Sequence, residues 1–196
     1  MISRSAAAVS LTGPGDLPFV FTAPHDKRHE RNQHGVLRMK MSEPGTGVLA
    51  HALALRMGGT AVVSESSTGD ANWDAEHPLK DAIIARGLIS AGTTLVDLHG
   101  MRDTHGFDIA LGPGLHAEHS PDLVADLDRT LRAAGFAVEV FWSGLFAARG
   151  EHRLTTWAQR LGARAVQVEI SARIRRELIL DSQDHPLTHS IAQTFS

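Results

Sequence analysis

One short run, Thr94-Leu95-Val96-Asp97-Leu98-His99-Gly100, constrains the fold more than any other stretch of the chain. Leu95, Val96 and Leu98 are apolar and in part β-branched, the composition of a buried strand. Gly100 after them predicts a break. A core strand that delivers an imidazole at its carboxyl end belongs to an open α/β sheet, where ligands gather at that edge. Two further strands are expected to end there as well, Leu17 to Ala23 before His25 and Arg164 to Ile170 around Glu169.

Helical patterns alternate with these strands. Glu43-Pro44 is expected to open a helix, with proline in the first turn, and Gly58-Gly59 to close it. Asp74 to Ala91, Pro121 to Gly135, Glu151 to Leu161 and the region after Ala172 read as further helices, with apolar residues three and four apart. Thr60 to Ser64, Phe107 to Leu111 and Phe136 to Phe141 read as strands. Residues 1–16 read as a lead-in, and Asp26 to Ser42, polar and basic, as a loop or flap over the site. The alternation predicts an α/β fold, a single three-layer domain over residues 1–196 with a mixed, largely parallel sheet.

Composition removes several function classes. The net charge of −3 gives no electrostatic reason to expect nucleic acid or an anionic membrane. No run approaches the ~20 apolar residues of a membrane helix, and a cytoplasmic location is expected. The chain has no cysteine, so any metal must be held by its 12 histidines and its carboxylates.

His25 and His99, both placed at strand ends, form the metal-ligand pair, with Asp26, Glu30 and Glu43 as candidate carboxylates between them. Glu43, at an expected helix start, would be favoured by the helix dipole even without a metal. Glu30 lies in a basic run with Arg28 and Arg31. His29 and His34 are five apart, one too many for the zincin pair on one helical face, and are set aside. In Ala165-Val166-Gln167-Val168-Glu169-Ile170 the valines and Ile170 take one face, and Gln167 and Glu169 the other. Glu169 is then either half of an ion pair with Arg173 or Arg102, or a general base beside a metal-bound water.

Ala23-Pro24-His25, Glu43-Pro44-Gly45-Thr46-Gly47-Val48-Leu49, Gly69-Asp70-Ala71-Asn72, Val96-Asp97-Leu98-His99 and Ala165 to Ile170 occur in an order that resembles the N-formylglutamate amidohydrolase family, related in fold to zinc carboxypeptidases and aspartoacylase-type deacylases. The resemblance implies one zinc ion per chain, held by His25, His99 and a glutamate. Glu43 has the helix-start context but follows His25 at a long interval, so Glu30 stays open as the alternative. It also implies that Asp70 orients a zinc-bound histidine and that Asn72 contacts substrate. Two features depart from the family pattern: Trp73 stands where related enzymes carry an arginine that grips the substrate carboxylate, and the chain has no tyrosine. Arg149 is the expected replacement clamp, with Arg102 and Arg173 as further options.

The expected activity is zinc-dependent hydrolysis of a small N-acyl (N-formyl) amino acid or peptide-like amide, with Glu169 as catalytic base and a small molecule as the partner. The alternatives are a non-catalytic metal- or ligand-binding protein on the same fold and a zinc carboxypeptidase-like peptidase.

Overall fold

The computed structural model describes residues 9–65 and 67–195. Residues 1–8 of the expected lead-in lie outside the described residues. The rest of that lead-in is not all loop: Val9–Thr12 forms strand β1, antiparallel to β5.

A seven-stranded sheet runs through the molecule in the order β1-β5-β2-β6-β9-β7-β8. The central strands β2 (Phe19–Ala23), β6 (Thr94–Met101) and β9 (Arg164–Ser171) are mutually parallel, as is β5 (Thr60–Ser64) beside β2. β7 (Ile109–Gly112) runs antiparallel to β9 and pairs in parallel with β8 (Val138–Val140). Helices α1 (Thr46–Met57), α3 (Pro121–Ala133), α5 (Ala172–Leu180) and α6 (Pro186–Thr194) supply the core on one face, and α2 (Pro78–Ala85) and α4 (Leu154–Arg160) the core on the other. The mixed, mostly parallel three-layer α/β fold is thus the observed one. Among the described residues no helix is long and apolar enough to cross a membrane.

The two faces of the central strands differ in kind. Toward α1, α3, α5 and α6, the strands present Phe21, Ala23, Val96, Leu98, Val166, Val168 and Ile170 without a polar interruption. Toward α2 and α4, they begin with Val20, Leu95 and Ala165. Two residues on, Thr22, Asp97 and Gln167 stand in register, and two further, His99 stands opposite Glu169. The period-two geometry of a strand keeps each set on its face, so this face grades from apolar to polar toward the carboxyl edge.

Three local expectations need correction. The stretch read as a flap holds a β-hairpin, β3 (His29–Gln33) and β4 (Val36–Lys40), turned at His34-Gly35, both with positive φ. The helix expected from Glu43 begins only at Thr46, behind Gly45 at φ 96°, so Glu43 and Pro44 precede it. The helix expected over 74–91 covers only Pro78–Ala85, because Pro78 at its first position and Gly87 at φ 63° bound it.

Candidate metal centre

Gly100 does not end its strand, as the sequence reading expected. β6 continues through it to Met101, paired with Ile170 and Ser171 of β9. Its reason for being glycine is close approach. A Cβ there would stand 2.6 Å from the Arg175 guanidinium and 2.9 Å from the Glu43 Cβ. The space it leaves lets Glu43 reach the strand, where its Oε2 accepts the Gly100 N–H at 2.9 Å. The Glu43 backbone N–H in turn donates to the His25 carbonyl at 2.8 Å.

Glu43 therefore lies between the two strand-edge histidines. Its Oε1 is 3.3 Å from His25 Nδ1 and its Oε2 3.2 Å from His99 Nδ1. The far nitrogen of each ring is held by an aspartate: His25 Nε2 by Asp70 Oδ1 at 2.8 Å, His99 Nε2 by Asp97 Oδ2 at 3.0 Å. A carboxylate only accepts, so each Nε2 carries a proton toward its aspartate, and each Nδ1 faces Glu43, where a bound metal would take the place of the Nδ1 proton. Three donor atoms, two nitrogens and one oxygen, thus face a single point, all within 4.8 Å of one another. That donor set suits a divalent ion such as zinc, and aspartates that fix ring orientation are the usual support of histidine ligands.

Charge in the site agrees with this. Burial alone would lower the pKa of His99, but the Asp97 and Glu43 carboxylates outweigh it and lift the pKa well above the ordinary value. His25 is likewise raised against burial, by Glu43 and Asp70. Burial would raise the Glu43 carboxyl, yet His25 and His99 hold it well below the usual carboxylate range. The pocket attracts positive charge, which a metal ion satisfies.

The other residues expected in the site are placed as follows. Glu169 stands across from His99 in the β6–β9 register. Burial pushes its carboxyl up to about 7 against the pull of His99, with Glu43 adding to the rise. Its side-chain partner is Gln167, whose Nε2 donates to Oε1 at 3.0 Å. The proposed pairing with Arg173 is absent, because Arg173 binds Asp108 at 2.7 Å and Glu177 at 2.9 Å. Asp26 caps α1, accepting the Gly47 N–H at 3.0 Å. Glu30 lies on the hairpin opposite Met39, in neither cluster of metal-binding composition. Asn72 is buried, its Oδ1 accepting the Leu154 N–H at 2.6 Å and its Nδ2 donating to Asp97 at 3.2 Å, so its amide braces the Asp97–His99 pair. It also lines an open cleft of about 560 Å³ together with Trp73, Leu145, Arg149 and Arg153. Arg102 is exposed and does not line that cleft.

Several contributors were not singled out from the sequence. Asp97 lies two residues before His99 on β6, a spacing that by itself places it on the same face. Arg153 lines the cleft and acts electrostatically on Glu169. Arg175, buried, ties the Glu43 segment to β6 and β9 through the carbonyls of Pro44, Met101 and Ile170. His29, set aside with the zincin spacing, stacks on His25 at 4.1 Å between ring centroids, with Nε2 3.2 Å from Asp70 Oδ2. His25, His29 and Asp70 form a second cluster of metal-binding composition. The Arg31 guanidinium, 2.5 Å from that same Asp70 oxygen, already supplies the positive charge there. No sequence pattern pointed to Arg31 or Arg175, since long-range packing brings both in.

The sequence matches no protein-family model and no curated protein. The fold has solved relatives. A bacteriophage poly-gamma-glutamate hydrolase aligns over 96% of this chain and 88% of its own, at 19% identity and TM-score 0.61. An N-formylglutamate amidohydrolase from Ralstonia eutropha aligns over 95% and 96%, at 14% identity and TM-score 0.60. A metallo-carboxypeptidase from Burkholderia cenocepacia aligns over 96% of this chain and 60% of its own, at 12% identity and TM-score 0.54. At these identities the likeness is one of fold.

Proposed function

We propose that this protein is a metal-dependent amidohydrolase acting on a small N-acyl amino acid or a peptide-like amide, with one zinc ion held by His25, Glu43 and His99. One observation carries the reading: two aspartate-held imidazoles turn their Nδ1 atoms on one glutamate, and a second glutamate with a raised pKa stands beside them. A structural metal needs no such neighbour, whereas a hydrolytic centre needs a base. The names of the solved relatives, two hydrolases of amide-linked glutamate derivatives among them, are compatible with this chemistry.

Zinc held by His25, Glu43 and His99 would supply a Lewis acid. The chain's residues do the remainder. Glu169 removes a proton as water adds to the amide carbonyl carbon, then gives it to the nitrogen as the carbon–nitrogen bond breaks. Asp70 and Asp97 hold the histidine rings in the tautomer that presents Nδ1. Arg149 and Arg153 supply positive charge in the cleft for a substrate carboxylate or the developing oxyanion. Trp73 gives the cleft an apolar wall, and its ring is held by Arg31, whose guanidinium carbon lies 5.2 Å from the centroid.

The test is elemental analysis of wild type and His99→Ala after zinc loading, followed by hydrolysis assays on a panel of N-formyl and N-acetyl amino acids and short peptides. One zinc per wild-type chain, its loss in the variant and turnover of at least one amide are expected. Equal zinc in the two proteins would refute the metal assignment. Zinc without turnover of any amide would refute the enzyme.

A further inference from the structure

We infer that Gln167 is a positioning residue for Glu169, fixing the direction of its carboxylate; this rests on the hydrolytic reading above. Gln167 lies two residues before Glu169 on β9, so both side chains rise from one face, Gln167 opposite Asp97 and Glu169 opposite His99. It is 2% exposed. Its Nε2 donates to Glu169 Oε1 at 3.0 Å and, at the limit of a hydrogen bond, to the Phe146 carbonyl at 3.4 Å. Among the described residues this amide is the hydrogen-bond partner of the Glu169 side chain, and its own Oε1 has none.

A buried acceptor left unpaired costs about 1–3 kcal/mol. A side chain needed only to fill this place would be cheaper as a hydrophobe. The carboxamide brings a donor and an acceptor on one rotatable group. Its Nε2 donates to Glu169 Oε1 and so fixes the direction of the carboxylate that acts on the substrate. Gln167 itself gains and loses no proton.

The experiment is a double-mutant cycle on the zinc-loaded full chain, using Gln167→Met, Glu169→Gln and the combination, with a substrate identified by the panel. Methionine keeps length and volume but offers neither strong donor nor strong acceptor. Gln167→Met is expected to lower kcat about tenfold to a hundredfold, with KM and zinc content within about twofold of wild type. In the Glu169→Gln background the same substitution is expected to change kcat by less than about twofold, because a residue acting through Glu169 has nothing left to position. Equal losses in the two backgrounds, or a rise in KM at constant kcat, would overturn the inference. If Gln167→Met fails to fold, Gln167→Asn, which keeps an amide one methylene short of Glu169, must show the same non-additive loss, and additivity there overturns it too. Wild type that turns over substrate while the losses add removes only the role of Gln167. Wild type that loads zinc but cleaves nothing removes the hydrolytic reading and this inference with it.

Discussion

The two faces of the central strands carry opposite economies on the same backbone. On β6, Val96 and Leu98 sit in an uninterrupted apolar layer under α1. Leu95, Asp97 and His99, alternating with them, lead from packing to chemistry within five residues. The first face gains stability from burial. The second gives some of it up, burying Asp97, His99 and Gln167 and keeping Glu169 partly buried with its charge disfavoured. That teaches where a fold can place a site: only the carboxyl end of one face departs from apolar packing, and the face behind it holds the frame rigid.

The largest expected effect sets the faces furthest apart. Glu169→Gln should cut amide hydrolysis by about 10²–10⁴-fold with bound zinc and thermal stability near wild type. If zinc disappears with the rate, Glu169 is a ligand, and the division between binding and base fails. On the other face, Leu98→Ala should cost about 2–5 kcal/mol in urea unfolding while kcat per folded molecule holds. A comparable loss of kcat with little loss of stability would show that the faces are not separable.

Asp97→Ala sharpens the comparison inside the polar face. Zinc affinity, measured by chelator competition, should fall about 10- to 100-fold, since the His99 ring loses the partner that orients it. Unchanged affinity would make Asp97 a purely structural acid.

A pH titration of the metal-free protein tests the cost of the polar face. The folded-state pKa of Glu169 is raised to about 7, above that of the unfolded chain, so the folded state binds this proton more tightly. Stability from this group is present below pH ~4.5 and is lost as pH rises toward 7. The unfolding free energy of wild type relative to Glu169→Gln should therefore decline across that window, and a flat difference would show the carboxyl to be unshifted. The smallest effect belongs to Arg149→Ala. This exposed cleft residue should raise KM several-fold for substrates with a free carboxylate, by roughly 1 kcal/mol, and leave zinc content alone. Equal KM values would move the clamp to Arg153.

Periodicity and punctuation made the sheet legible. The apolar, partly β-branched run in Thr94 to His99 and the alternation in Ala165 to Ile170 identified both strands and assigned His99 and Glu169 to an edge, because side-chain direction along a strand follows from local geometry alone. Local sequence also marked the helix stop at Gly58-Gly59 and the proline at the start of α3. It misread Gly100, since a glycine that admits a neighbour looks the same as one that ends a strand. It also missed the β3–β4 hairpin, whose mixed polar and basic strands show no apolar alternation.

By itself the sequence determined an α/β chain with histidines and carboxylates at strand ends and no thiol to compete for metal. Tertiary structure decided which carboxylate stands between the histidines. Glu43 reaches them because Gly100 leaves room and Arg175 pins Pro44 from a helix more than a hundred residues away in sequence. It also decided that Asp70 and Asp97 take one imidazole each, that His29 and Arg31 share Asp70, and that Gln167 serves Glu169. Backbone direction is a short-range property, readable residue by residue. Hydrogen-bond partnership between distant segments depends on how the whole sheet and its helices close, and no local pattern carries it.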